Sequence, residues 1–349
     1  MRCGCLCTNE CNYCFYRLLY LVPQTLVIRM SDSIHEVLKR LAARPDELFY
    51  TDVLLEDNGG KFLGSIFVRN LVRLQHGLLL DNIHQLERKR IEIERKNQQM
   101  EQELIMAGKV QHAMLPQSYP AFAAPSRDLR FHHRYVPAGR VSGDFFHVRR
   151  INDQTAGVFI CDVMGHGVRS AMITAMLRAL VEELQSQASH PGELLERLNH
   201  NLYATLRQND ETMYATAIYM VVDTATLQIC WATAGHPTPL CLRRSNSSVE
   251  MLPQGKRGKV LGLVEQSAYP TSEYTLHSGD RLLLYTDGIF EVFNGDREFG
   301  MEGLTSTLRR HLALETPELM DKLLETALSF GVMPEFDDDV CLLAVEAGS

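Results

Sequence analysis

From Thr25 to Leu80 the apolar positions fall into two rhythms. The run Thr25 to Met30 is β-branched and apolar, which suits a strand. Ser31 to Ala42 opens with Ser31 as a helix cap and places Ile34, Val37, Leu38 and Leu41 on one face. Tyr50 to Asp57 runs into Asn58-Gly59-Gly60, a turn signal, and Lys61 to Val68 supplies the returning strand. Arg69 to Leu74 begins another helix. The expected order is strand, helix, strand, strand, helix.

The period then lengthens. Leu79, Ile83, Leu86, Arg90, Ile93, Asn97, Met100, Leu104, Ala107, Gln111 and Met114 are spaced by alternating steps of four and three, and eight of these eleven are apolar. That is a heptad seam, and Arg90, Asn97 and Gln111 share its a-type register if Leu86 is d. Both a two-chain coiled coil and one amphipathic helix lying on its own domain fit the pattern. Pro116 stops the helix, because its ring and missing N–H cannot continue the ladder.

Beyond Pro116, strands are expected at 131–136, 145–151, 156–163, 216–223, 227–234, 281–287 and 340–346, and helices at 169–185, 192–206, 301–312 and 317–328. Strand runs on both sides of paired helices predict an α+β fold, two antiparallel sheets packed together and flanked by helices in an αββα sandwich.

Composition narrows the function. The formal charge of −8 offers no polycationic face for phosphate backbones, so no nucleic acid is expected as a partner. No apolar run approaches the roughly 20 residues a spanning helix needs, and the first residues lack a signal-peptide pattern, so the expectation is a cytoplasmic chain with no membrane contact. Five of nine cysteines, Cys3, Cys5, Cys7, Cys11 and Cys14, crowd into the first fourteen residues. Cys11-x-x-Cys14 fits half a zinc site or an unstructured tail, since no second pair follows at the usual spacing. Cys161, Cys230, Cys241 and Cys341 sit in apolar stretches and read as core residues.

Four aspartates stand where a core residue is a poor explanation. Asp144 follows Val141-Ser142-Gly143, Asp162 ends an apolar run, Asp287 ends another and precedes Gly288, and Asp338 lies in an acidic triplet before the last strand. A carboxylate at the end of a buried strand is costly unless a positive charge pairs with it. Such hard oxygen donors suit Mg²⁺ or Mn²⁺ rather than zinc. Each aspartate alone also fits a turn cap or a solvated loop.

Two resemblances attach to these residues. Asp57 to Leu71, DNGGKFLGSIFVRNL, resembles one CBS module, a type that usually works in pairs and often binds adenine nucleotides. Adenosine-holding modules usually carry Thr or Ser three residues after the glycine and Asp six after it, whereas Phe67 and Asn70 follow Gly64 here. A dimerising or docking role is therefore expected in preference to nucleotide sensing. The second resemblance runs in order over 117–349. VSGDFF, CDVMGHG followed by SAMITAML, ATAGHPTPL, GDRLLLYTDGIFEVFN and DDVCLLAV are similar to the PPM-type metal-dependent serine/threonine phosphatases of bacteria, in the RsbU and sporulation-phosphatase branch. VQHAMLP resembles the helix that leads into such domains.

This second resemblance implies a role for each position. Asp162 would bridge two Mn²⁺ or Mg²⁺ ions, with the Val163 carbonyl as a further ligand; Asp287 and Asp338 would complete the first metal's shell, and Asp144 would hold the second. Gly165 and Gly288 would leave room around the phosphate, and the turn at Gly235 and His236 would be a fold signature rather than a ligand; Arg140, four residues before Asp144, fits a phosphate contact or, as is commoner for arginine, a solvated surface position. Two cations about 3.5–4 Å apart would neutralise a phosphomonoester and activate a water between them. In the eukaryotic type-2C enzymes a histidine lies two residues after the bridging aspartate; His166 lies four after Asp162. His147 stands where an acidic residue is usual, and Cys341 where Thr or Ser is.

The expected organisation is a cysteine-rich segment at 1–20, a CBS-like module at 21–80, a coiled-coil linker at 81–116 and a phosphatase domain at 117–349. The substrate implied is a phosphoserine or phosphothreonine on an anti-sigma-factor antagonist, and the assembly a homodimer through the coil and the CBS-like module. The competing reading is a catalytically inert binding protein that docks a partner with the same fold. Retention of four mutually repelling carboxylates argues against it. A two-metal nucleotide cyclase lacks any base-recognition motif.

Overall fold

The computed structural model describes residues 25–122, 129–207, 213–253 and 255–348. The cysteine-rich opening lies outside the described residues. The chain divides into two compact units, Met1–Gln99 and Met100–Ser349.

In the first unit, β1 (Val27–Arg29) leads into helix α1 (Ile34–Ala42), a short helix α2 (Asp46–Phe49), strands β2 (Val53–Glu56) and β3 (Phe62–Ile66), and the start of helix α3 (Val68–Met114). β1 pairs with β2 in parallel and β2 with β3 antiparallel. The cap of α1 is Ser33 rather than Ser31, because the Ser33 hydroxyl accepts the Glu36 N–H at 3.2 Å from extended backbone. The hairpin turns where Asp57 accepts the N–H groups of Gly59 and Lys61 at 2.9 and 2.8 Å. Ile28, Val37, Leu41, Val53, Val68 and Leu71 form a small separate core. Phe67 and Asn70 are exposed, and Asn70 N–H bonds the Phe67 carbonyl.

Helix α3 runs unbroken for 47 residues and stops before Pro116. Its seam changes character along its length. Leu79, Ile83, Leu86, Ile93 and Met100 are exposed, whereas Leu104 and Met114 are half-buried and Gln111 is buried. No described helix is long and apolar enough to cross a membrane.

The second unit is α+β, with two five-stranded antiparallel sheets. One contains β4 (Leu129–Val136), β9 (Leu240–Arg243), β10 (Ser248–Met251), β12 (Arg281–Tyr285) and β15 (Val340–Ala347), in the order β10-β9-β12-β15-β4. The other contains β5 (Asp144–Asn152), β6 (Thr155–Val163), β7 (Ala215–Asp223), β8 (Gln228–Ala234) and β11 (Ser272–Thr275), in the order β11-β8-β7-β6-β5. Helices α4 (Val168–Glu183) and α5 (Pro191–Arg207) pack on the second sheet, and α6 (Gly300–Arg310) and α7 (Thr316–Phe330) on the first. A two-stranded hairpin, β13 (Phe293–Asn294) and β14 (Arg297–Glu298), lies between β12 and α6 in the chain.

Layering explains the strand sequences. With sheet on one side and helix on the other, β12 and β15 are buried at every position, and they read as unbroken apolar runs rather than alternating ones. One core, including Phe145, Phe159, Leu177, Leu198 and Trp231, fills the space about the second sheet; a second, including Leu283, Tyr285, Leu304, Leu323 and Leu342, joins the first sheet to α6 and α7.

Candidate active site

The four aspartates singled out in the sequence emerge at strand ends on one side of the two sheets. Asp144 opens β5, and its cross-strand partner is Asp162 near the end of β6. Asp287 follows β12 by two residues, and Asp338 precedes β15 by two. Asp144 is 1% exposed, Asp162 and Asp287 are half-buried, and Asp338 is exposed.

These carboxylates are near enough to perturb one another. Burial, then the Asp162 charge, pushes Asp144 well above the usual carboxylate range, against the pull of the Thr286 hydroxyl. Asp162 is pushed up to about 7 by burial and then by Asp287, Asp338, Asp339 and Glu291. Asp287 is raised by burial and by Asp338, and Glu291 by burial and by Asp287. Among the described residues no three His, Cys, Asp or Glu side chains form a metal-holding group.

Close backbone approaches shape the site. A Cβ on Gly143 would lie 2.7 Å from the Val163 carbonyl oxygen and 3.0 Å from that of Gly165, so only glycine lets the turn before Asp144 press against the strand end that carries Asp162. A Cβ on Gly288 would lie 2.2 Å from the Asp339 carbonyl oxygen, so this glycine serves the contact between the 287 and 338 turns. Gly165, at φ +80°, is exposed.

A set of polar residues to which the sequence gives no role at the site holds the acidic turns in place. Thr286 donates to Asp144 Oδ2 at 2.7 Å and accepts the Cys341 N–H at 2.8 Å, tying β5, β12 and β15 together. Asp339, buried, accepts the N–H groups of Ala138 and Gly143 at 2.8 and 2.7 Å. The Ser142 hydroxyl accepts the Asp144 N–H at 3.0 Å, and Tyr135 donates to the Asp144 carbonyl at 3.1 Å. Gln111, on α3, donates to the Ser142 carbonyl at 2.7 Å and to Thr174 Oγ1 on α4 at 3.0 Å. Its polarity stood out in the sequence as an interruption of the heptad seam; the structure turns it into its own domain instead, because its amide finds partners there.

The remaining candidates stand apart from this hydrogen-bond set, except Cys341, whose backbone N–H belongs to it. Arg140 donates to Glu101 Oε1 of α3 at 2.6 Å. His147 lies against α4, with Nε2 3.1 Å from Glu182. His166 is exposed. Cys341 is buried, and burial pushes its thiol up.

Comparison with known proteins accords with this fold. The chain is 30% identical over 214 residues to the phosphoserine phosphatase RsbP of Bacillus subtilis, a match covering 61% of this chain and 51% of RsbP, so the chain spans about half the length of that relative. The phosphoserine phosphatase RsbU of the same organism is 24% identical over 242 residues, 69% of each protein. Among solved structures, the SiaA-PP2C domain of Pseudomonas aeruginosa superposes with a TM-score of 0.60 at 20% identity, over 72% of this chain and 98% of that domain. The PP2C domain of SpoIIE from Bacillus subtilis, with a fragment of its regulatory domain, gives 0.52 at 21% identity over 64% of each chain. The sequence profile of stage II sporulation protein E (SpoIIE) matches residues 152–348, more than half of the chain, and the chain therefore belongs to the SpoIIE family.

Proposed function

We propose that this protein is a metal-dependent phosphatase that removes phosphate from phosphoserine or phosphothreonine on another protein. The observation that carries the reading is the set of carboxylates Asp144, Asp162, Asp287 and Asp338, brought from four separate segments to strand ends, where burial and neighbouring charge raise the proton affinity of Asp144, Asp162 and Asp287. Like charges gathered in a partly buried place are costly without a cation. The donor set is oxygen, with no cysteine or histidine in it, and fits Mn²⁺ or Mg²⁺.

Asp144, Asp162, Asp287 and Asp338, with the Val163 carbonyl, would hold two ions. When bound, such a pair neutralises a phosphate ester and activates a water for its hydrolysis. Thr286 fixes the Asp144 carboxylate from one side, and Asp339 fixes the Gly143 turn beneath it. The Arg140 guanidinium is held to Glu101 through Nε.

The substrate of this reading is a phosphorylated anti-sigma-factor antagonist, met in the cytoplasm. The exposed seam of α3 from Leu79 to Met100 supports a homodimer through a coiled coil, and the CBS-like unit serves it as a docking module rather than a nucleotide sensor. The test is Mn²⁺-dependent release of phosphate from a panel of phosphorylated antagonist proteins. Release that disappears in Asp162→Asn supports the reading. Millimolar or weaker Mn²⁺ binding with no release favours the inert docking protein instead.

A further inference from the structure

The buried imidazole of His236 has no part in the reading above. It lies in the stretch 235–239, where the chain crosses from β8 in one sheet to β9 in the other. The residue is 0% exposed. Its Nδ1 is 3.0 Å from Thr216 Oγ1, and Thr216 is the cross-strand partner of Asp162. The backbone of Tyr285, the last residue of β12, is near enough to raise the ring's proton affinity, although the buried Nε2 makes no hydrogen bond. Thr286, which holds Asp144, and Asp287 follow directly.

The surroundings fix the crossing as well as the ring. Thr233 donates to the His236 carbonyl at 3.4 Å, and Tyr285 donates its hydroxyl to the Thr238 carbonyl at 2.9 Å. One side chain thus bonds the cross-strand partner of Asp162 in one sheet and lies beside the strand end that leads into Thr286 and Asp287 in the other. Burial lowers the His236 pKa to about 3, so the ring is a neutral polar spacer that adds no positive charge to compete with a cation.

We infer that His236 is a positioning residue, wedged between Thr216 on β7 and the end of β12, that sets the spacing between Asp162 on one sheet and the Thr286–Asp287 turn on the other. This rests on the proposed metal-dependent reading. A side chain that only filled space would be replaceable by any ring of similar volume. One that sets spacing through a hydrogen bond would not be.

The experiment measures Mn²⁺ affinity by calorimetry on the full chain, together with kcat and KM for p-nitrophenyl phosphate. His236→Phe is expected to weaken Mn²⁺ binding about tenfold, the low end for outer partners of metal ligands, and to lower kcat with KM little changed. His236→Gln, whose amide both donates and accepts, is expected to recover most of both. Thr216→Val removes the Nδ1 partner and leaves the imidazole in place; the same direction of change is expected, and this variant decides the matter if His236→Phe does not fold. Mn²⁺ binding in His236→Phe or Thr216→Val equal to that of the unaltered protein overturns the assignment. So does a His236→Gln variant no better than the phenylalanine one. If the unaltered protein binds no Mn²⁺, the metal-dependent reading itself falls, a result distinguishable from unaltered binding in the variants alone.

Discussion

Gln111 and Ser142 exchange two hydrogen bonds: the Gln111 amide donates to the Ser142 carbonyl at 2.7 Å, and the Ser142 N–H returns to Gln111 Oε1 at 2.9 Å. The pairing imitates one rung of an antiparallel ladder, with a side chain in place of a strand. Ser142 in turn accepts the Asp144 N–H, so the last turns of α3 set the backbone from which an acidic ligand candidate projects.

Gln111→Leu should therefore leave both Ser142 backbone groups buried without partners. The expected cost is about 1–3 kcal/mol for each unsatisfied group, read as a lower melting temperature. Mn²⁺-dependent phosphate release should fall by more than that loss of stability explains, measured well below the melting range.

Asp162→Asn separates stability from activity. It removes a charge that burial and four neighbouring acidic residues oppose, so the metal-free protein at pH 8 should gain on the order of 2 kcal/mol in denaturant unfolding. Phosphate release should vanish. A variant that is inactive and also less stable would contradict the electrostatic account.

The pH dependence follows from the same group. The Asp162 carboxyl rises from the ordinary 3.8 to about 7 in the folded chain, so the folded state holds the extra proton between those values. Its contribution to stability is complete below about 3.8 and is lost as pH rises through about 7. His236 runs the other way, with stability present above its ordinary 6.5 and lost as pH falls toward about 3. Mn²⁺ must displace the Asp162 proton, so its apparent affinity should weaken by up to about tenfold for each pH unit below 7. Calorimetry in buffers of different ionisation enthalpy would count the released proton.

The exposed part of the α3 seam predicts oligomeric state. Leu86→Asp combined with Ile93→Asp places charges in the proposed two-chain interface and should shift sedimentation from dimer to monomer. An unaltered protein that sediments as a monomer at tens of micromolar would remove the basis for this prediction.

Most of the second unit was legible in the sequence because its architecture leaves a strong trace. Strands covered on both faces, such as β6, β12 and β15, appear as long apolar runs, and the four helices that flank the sheets are long enough for their periodicity to register. Strands β9, β10 and β11, each of four residues, and the hairpin at 293–298 are too short to carry a period. The acidic residues show in the sequence because a carboxylate beside an apolar run is conspicuous. The roles of Thr286, Asp339 and Gln111 are hidden in the sequence because their partners are distant in the chain, separated by 142, 196 and 31 residues. Asp339 was visible as one of three adjacent aspartates, but which of them faces inward depends on the turn against Gly288.

The position of β15 carries a consequence for biosynthesis. It stands between β12 and β4, and β4 has no other strand partner among the described residues. Residues 129–136 must wait until residues 340–347 have left the ribosome before they can join a sheet. Until then the nascent domain presents open edges on β12 and β4, and ribosomes that stall before Val340 would release chains prone to sticking to one another. Asp338 and Asp339 arrive with that strand, so the acidic cluster is assembled only once the sheet is sealed.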